Sequence, residues 1–337
     1  AMSKPALLAS ASIRGIEVQP LVQWQSFRCI WMSLAMENKN RVVFTKLCDV
    51  NWDTDSPPPG VKARLALRNV STKPLADAIR DYIEKEELVE AVLQCLDLCK
   101  NPNMSCESLC RILELLMHYQ IQAVDLSWNP QLGDSMVASL QPLLEAKQSR
   151  LADLKLAECG LTVAGLKWLV KAASKSRLRL LDISGIRISD ESELIEQVLE
   201  LPIIQELVIC CCDLGPEEVR TIAEGLPFTS IKSLNLAGNA FGSEGLVHLA
   251  SKLPESMVVD LDLSGVGIEA ECEGLSQLAK AWVKRPFSQL CLNNNAMTQL
   301  GILNFIDTLR TLMPVNDDCS GLAAVDSLTF NNLATCC

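Results

Sequence analysis

One hydrophobic phrase returns eight times along this chain. Its first forms are Leu93-Gln-Cys-Leu-Asp-Leu, Ile121-Gln-Ala-Val-Asp-Leu and Leu151-Ala-Asp-Leu-Lys-Leu, and it restarts at Leu178, Ile204, Ile231, Val258 and Phe287. Successive starts lie 28, 30, 27, 26, 27, 27 and 29 residues apart. A period of this length means one supersecondary unit, copied and stacked. Each unit packs only on its neighbours, so 337 residues need no single oversized core. Such an array carries its function on a repeated surface.

The stretch from Ile231 to Met257 shows what the unit is. Ile231, Leu234 and Leu236 have the spacing of a short strand with one buried side. Asn239 follows, with a side chain able to satisfy turn backbone groups, and Gly242 permits a tight bend. Leu246, Leu249 and Leu253 then recur at helical spacing, with Ser243 as the expected N-cap. The unit reads as strand, turn, helix, turn.

These residues match the leucine-rich repeat pattern L-x-x-L-x-L-x-x-N/C-x-L. The long units with a full helix resemble the ribonuclease-inhibitor-like class. That class also holds the GTPase-activating protein of Ran, the sensor regions of nucleotide-binding innate immune receptors and the C-terminal region of Tonsoku proteins. The resemblance implies an α/β leucine-rich repeat solenoid, a horseshoe with parallel strands on the concave face and helices on the convex face. The Asn/Cys position is filled by Asn101, Asn129, Cys159, Cys212, Asn239 and Asn295. Ile186 and Val266 depart from it, and less regular turns are expected there.

Regular repeats are expected over residues 90–310. Residues 1–89 read as degenerate repeats or a cap, and 311–337 as a C-terminal capping repeat. Weaker phrases run Ile13-x-x-Ile16-x-Val18, Val42-x-x-Thr45-x-Leu47, Leu65-Ala-Leu67 and Val325-x-x-Leu328-x-Phe330. The apolar segment Leu21 to Leu34, with Trp24 and Trp31, covers the first repeat or docks an upstream segment.

Hydrophobic residues make up 49% of the chain but aromatics only 4%, so the core is aliphatic. Net charge is −11, which argues against direct nucleic-acid binding and favours a basic partner if the partner is charged. No apolar run approaches the roughly 18 residues of a membrane span, and the stretch Ala1 to Gly15 does not read as a signal peptide. Fifteen cysteines are an odd count in a chain too long for a disulfide scaffold. Reduced thiols, and a cytoplasmic or nuclear location, are the expectation. Oligomeric state is open.

Residues between the buried positions of each strand should face the concavity. Asp97, Asp125, Asp153, Asp182, Glu206, Asp260 and Asp262 then form an acidic line, interrupted by Lys155, Val208 and Asn235. One reading is a field that attracts a basic protein face or basic peptide. The other is that Leu-Asp-Leu is simply the common form of this strand. Trp128 is the sharper candidate. It follows a strand where other repeats carry Lys100, Glu158, Gly185, Cys211, Gly238, Gly265 and Asn294. An exposed tryptophan there suits a binding hot spot, and packing on a neighbouring loop is the alternative. Trp168 and Trp282 are expected to pack between helices.

Catalytic chemistry finds little footing. His118 and His248 are the only histidines and stand far apart in the array, so no triad or multi-histidine metal site is expected. Cys95, Cys99, Cys106 and Cys110 lack paired zinc spacing and should divide between strand and helix. No phosphate-binding glycine loop occurs, and no cofactor is expected. Lys171, Lys175, Arg177 and Arg179 crowd one helix end, as cations suited to a helix C-terminus or as a contact for an acidic partner. The functional expectation is a noncatalytic protein-recognition scaffold. The alternatives are a GTPase-activating protein of the Ran-activator type, which the resemblance suggests, and a substrate receptor or adaptor of a ubiquitin ligase.

Overall fold

A computed structural model of the chain describes residues 16–19, 64–67, 95–116, 121–269, 272–312 and 328–329. The chain divides into two compact units, Ala1–Arg177 and Leu178–Cys337. The readings made for Trp24, Trp31, the Val42 phrase and His118 lie outside the described residues.

In the first unit the strands are β1 (Ile16–Gln19), β2 (Arg64–Leu67), β3 (Cys95–Asp97), β4 (Ala123–Asp125) and β5 (Asp153–Lys155). The helices are α1 (Cys106–Leu116), α2 (Met136–Glu145) and α3 (Val163–Ala173). The strands β2 to β5 pair in parallel, with Leu65, Leu96, Val124 and Leu154 in one register row. The first phrase departs from the repeat, because β1 runs antiparallel to β2 and pairs Ile16 with Leu67.

The second unit repeats the same order. Its strands are β6 (Leu180–Asp182), β7 (Glu206–Val208), β8 (Ser233–Asn235), β9 (Asp260–Asp262), β10 (Gln289–Cys291) and β11 (Leu328–Thr329). All are parallel, and Leu181, Leu207, Leu234, Leu261, Leu290 and Leu328 share one row. Between them run α4 (Ser192–Leu199), α5 (Pro216–Gly225), α6 (Gly242–Lys252), α7 (Glu273–Lys284) and, after β10, α8 (Gln299–Leu312). Parallel neighbours need a crossover, and the helix of each repeat supplies it.

Each strand from β4 onward is three residues long up to β10. Its middle side chain is buried and its outer two are not. This is the period of two, cut to one step. Helix residues such as Leu140, Leu166, Ile195, Ile222, Leu246 and Leu278 are buried as this row is. In each unit strands therefore occupy one face and helices the other, with an aliphatic core between them. Each fully buried leucine contributes about 1.5–3 kcal/mol.

The turn after the strand is built the same way each time. Lys100, Trp128, Glu158, Gly185, Cys211, Gly238, Gly265 and Asn294 all have left-handed backbone, with φ between 54° and 84°. The left-handed kink lets the N–H reach the next repeat's carbonyl, as in Trp128 N–H to Ala157 O at 2.7 Å and Gly238 N–H to Ser264 O at 2.8 Å. A second left-handed residue follows two positions later at Gly160, Asp213 and Gly267, and four or five later at Gly133, Asp190 and Gly242. The two turn forms alternate in chain order within each unit.

The Asn/Cys position lies inside these turns. Asn239 is fully buried and spans two repeats. Its amide nitrogen donates to Ile209 O and Leu236 O, and its oxygen accepts from Cys212 N–H and Leu214 N–H. Asn295 repeats this with Val266 N–H, Ile268 N–H, Leu263 O and Leu292 O. The cysteines stand in the other form. The thiol of Cys159 donates to Leu126 O at 2.9 Å, and that of Cys212 to Ile183 O at 3.5 Å. The turns at Ile186 and Val266 are not irregular, as the lost amide had suggested. Gly185 and Gly265 keep their bonds to Cys210 O and Asn293 O, and Asn295 of the next repeat serves Val266.

Candidate functional site: the strand faces

The acidic line is placed by strand register and bent by local bonds. Asp97 and Asp125 are partners across β3 and β4. In the second unit Glu206, Ser233, Asp260 and Gln289 form one row, with Asp182, Val208, Asn235, Asp262 and Cys291 in the next. The carboxylates at the strand ends turn back on the chain. Oδ1 of Asp97, Asp125, Asp182 and Asp262 accepts the backbone N–H two residues on, from Cys99, Ser127, Ser184 and Ser264, at 2.9–3.1 Å. Asn235 does the same for Ala237. Asp182 and Asp262 also accept the serine hydroxyls of Ser184 and Ser264 at 2.6 Å. These side chains end the strand as Asx turns, a backbone role that needs an oxygen but not a charge.

This sorts the expected acids. Asp97 is 0% exposed, so it is no part of an open surface. Asp125, Asp182 and Asp262 are half-buried and hold the turn. Asp153 and Asp260 are half-buried, and Glu206 is exposed. Asp97, Cys99 and Asp125 each bring a ligand atom within 4.8 Å of the others, a grouping that the sequence spacing did not suggest. The ladder accounts for it, by stacking two Asx turns with one thiol beside them.

Trp128 is 55% exposed. It precedes Asn129, whose buried amide donates to Leu98 O at 3.1 Å and whose oxygen accepts from Asn101 N–H at 2.8 Å. The ring is thus carried on a fixed turn, three residues beyond Asp125. An L-residue held left-handed costs about 1–2 kcal/mol, and the ladder bond of its N–H keeps it there. Trp282 is buried in α7, edge-on to Phe287 at 5.4 Å between ring centroids. Trp168 departs from expectation, since its side chain on α3 is 40% exposed. Ser243 is not an N-cap either. It lies inside the first turn of α6, which follows Phe241, and its hydroxyl is buried without a partner.

The described cysteines form no disulfide with one another. Burial pushes the thiol of Cys210 up to about 11 and that of Cys212 up to about 12, so both stay protonated at neutral pH. Cys106 and Cys110 are raised as well, with desolvation the largest cause in each. Cys106 donates to Leu132 O, and Cys110 to Glu114. Thiols of this kind are poor nucleophiles. Among the described residues no constellation of nucleophile, base and orienting group stands together.

No protein-family model matches the chain. Among curated proteins it is 28% identical to the ribonuclease inhibitors of Mus musculus and Sus scrofa, over 223 residues covering 64% of this chain and 48% of each relative. It is 31% identical over 195 residues to NACHT, LRR and PYD domains-containing protein 14 of Mus musculus, covering 56% of this chain and 19% of that protein. The chain thus spans about half the length of the ribonuclease inhibitors it matches. Among solved structures it is similar to TLR13 in a complex with ssRNA13, at TM-score 0.42 and 15% identity, over 79% of this chain and 30% of that one. It is also similar to a chain in the yeast Rad7 and Elc1 complex, at TM-score 0.38 and 12% identity, over 71% of this chain and 74% of that one. The chain is a solenoid of leucine-rich-repeat type, related distantly to the ribonuclease inhibitors and to other leucine-rich repeat proteins.

Proposed function

We propose that this protein is a noncatalytic recognition scaffold that binds a protein partner through its strand faces and the turns that border them. The observation that carries the reading is Trp128, an exposed aromatic on a turn whose backbone is bonded into the neighbouring repeat. A rigid aromatic loses little side-chain entropy when a partner covers it, which is what interface anchors do. Asp125 and Asp153 lie close in the ladder, since Asp153 pairs with Ala123 and Asp125 with Lys155. In the second unit Glu206, Asp260 and Asp262 add negative charge to the strand face. A basic protein face or a basic peptide complements both, with charge acting on encounter rate and partner sign. The distant relatives support recognition in general, because a ribonuclease inhibitor by its name acts on another protein.

Trp128→Gly tests this cleanly. Glycine relieves the left-handed backbone, so the fold is retained or stabilised by up to about 1 kcal/mol. Partner capture from extract, quantified by mass spectrometry against wild type, should then lose its main protein by ten-fold or more. Asp153→Arg should reduce the same protein. Equal capture by wild type and both variants would sink the strand-face reading. Stimulated GTP hydrolysis by a small-GTPase panel would instead support the GTPase-activating alternative.

A further inference from the structure

The first unit carries a second feature, away from the strand face. The chain returns after α2 and after α3 toward the next strand, and these two returns enclose a cavity of about 580 Å³. Lys147, Lys171, Lys175 and Arg177 line it, and all four are exposed. Its floor includes Leu144, Leu151 and Ala172, which are buried in the core. Glu145 is the one acid in the lining, and it accepts the side-chain amide of Gln141 at 2.9 Å.

Cations at a helix end often serve to satisfy its carbonyls. Here the chain does that itself. Pro142 O accepts from Ala146 N–H, Lys171 O from the hydroxyl of Ser174 at 2.9 Å, and Ala173 O from Ser176 N–H at 2.9 Å. None of the four cations is tied into an ion pair among the described residues. Two helix C-termini bring about half a negative charge each, and Glu145 brings one more. Four cations leave the groove at about +2. That excess stands on a chain whose net charge is −11.

We propose that this groove is a docking site for an acidic peptide segment of a protein partner. Flexible cationic rims over an apolar floor suit carboxylates spaced along a peptide, with an apolar side chain set between them. A nucleic acid fits less well, because a polyanion longer than the groove meets a chain of net charge −11. The site is independent of the strand-face reading and of Trp128.

The test uses the whole chain and a fluorescein-labelled peptide of alternating glutamate and leucine, followed by anisotropy at low ionic strength. Wild type should bind the peptide, and added salt should weaken it. Lys171→Glu combined with Lys175→Glu should weaken binding at least ten-fold with an unchanged circular dichroism spectrum. Lys280→Glu combined with Lys284→Glu, two exposed lysines on α7, makes a charge-matched control and should have little effect. Trp128→Gly should also bind normally, which separates this site from the strand face. The proposal is overturned if wild type does not bind or the Lys171 and Lys175 double variant binds as tightly. It fails equally if a glutamine–leucine analogue binds as well, or if random single-stranded DNA displaces the peptide at lower concentration than unlabelled peptide does.

Discussion

A strand-end aspartate in this chain answers first to its own backbone. Asp262 Oδ1 holds Ser264 through both its N–H and its hydroxyl. An amide oxygen can accept the same bonds, and Asn235 already does so for the backbone of Ala237. Asp262→Asn should therefore leave stability within a few tenths of a kcal/mol, while Asp262→Ala should cost about 1 kcal/mol. Urea denaturation of the three proteins decides it. If Asn and Ala lose the same amount, the charge and not the turn is what matters at this position. The result also marks what the sequence could show. The alternation of leucine and aspartate was readable, and so was the outward side of each strand. The bond from the aspartate to the residue two positions on was not, because it depends on ψ at the strand end. The left-handed series had a legible signal in Gly185, Gly238 and Gly265, which fall at one repeat position. Trp128 shares that backbone with them, so its conformation is ordinary for the array and only its side chain is unusual.

Between elements, helix starts are joined to neighbouring turns by single side chains. Glu218 sits in the first turn of α5 and is only 6% exposed. Its Oε2 accepts Gly215 N–H at 2.9 Å, as in a capping box, and its Oε1 accepts Asp190 N–H at 2.8 Å from the preceding repeat. Asp134 does similar work in the first unit, accepting the N–H and the hydroxyl of Thr162, the N-cap of α3. Glu218→Ala leaves two backbone donors without a partner and should cost about 2–3 kcal/mol. Glu218→Gln keeps one acceptor and turns an NH₂ toward the other donor, so its loss should be intermediate. A chemical denaturation series reads both. Equal stability of wild type and Glu218→Ala would mean that water replaces both bonds without loss. The repeat pattern implies a helix after each strand, but it does not show this link, since the partner of Glu218 is 28 residues away. The repeat length itself is the clue, because a side chain one period ahead lies beside the earlier turn.

At the scale of the molecule, a core built from rows of like residues should fail locally. Leu234 is almost fully buried and pairs in register with Leu207 and Leu261. Its loss removes packing from its own repeat and the two beside it. Repeats farther along feel the loss only through their neighbours, in the manner of a one-dimensional chain of coupled units. Leu234→Ala should cost about 2–5 kcal/mol, with the upper part of that range expected if the cavity cannot collapse. Hydrogen exchange followed by mass spectrometry should show amides of β7, β8 and β9 losing protection first. Amides of β3 to β5 in the first unit should keep theirs under the same conditions. The opposite pattern, an even loss over every strand, would mean that the array opens as one cooperative body. Local opening bears on recognition as well, because the turns that carry Trp128 and the strand-end carboxylates are held by bonds from the next repeat. A partner that spans several repeats would then stabilise the array it binds, and its footprint should appear as slowed exchange along contiguous strands.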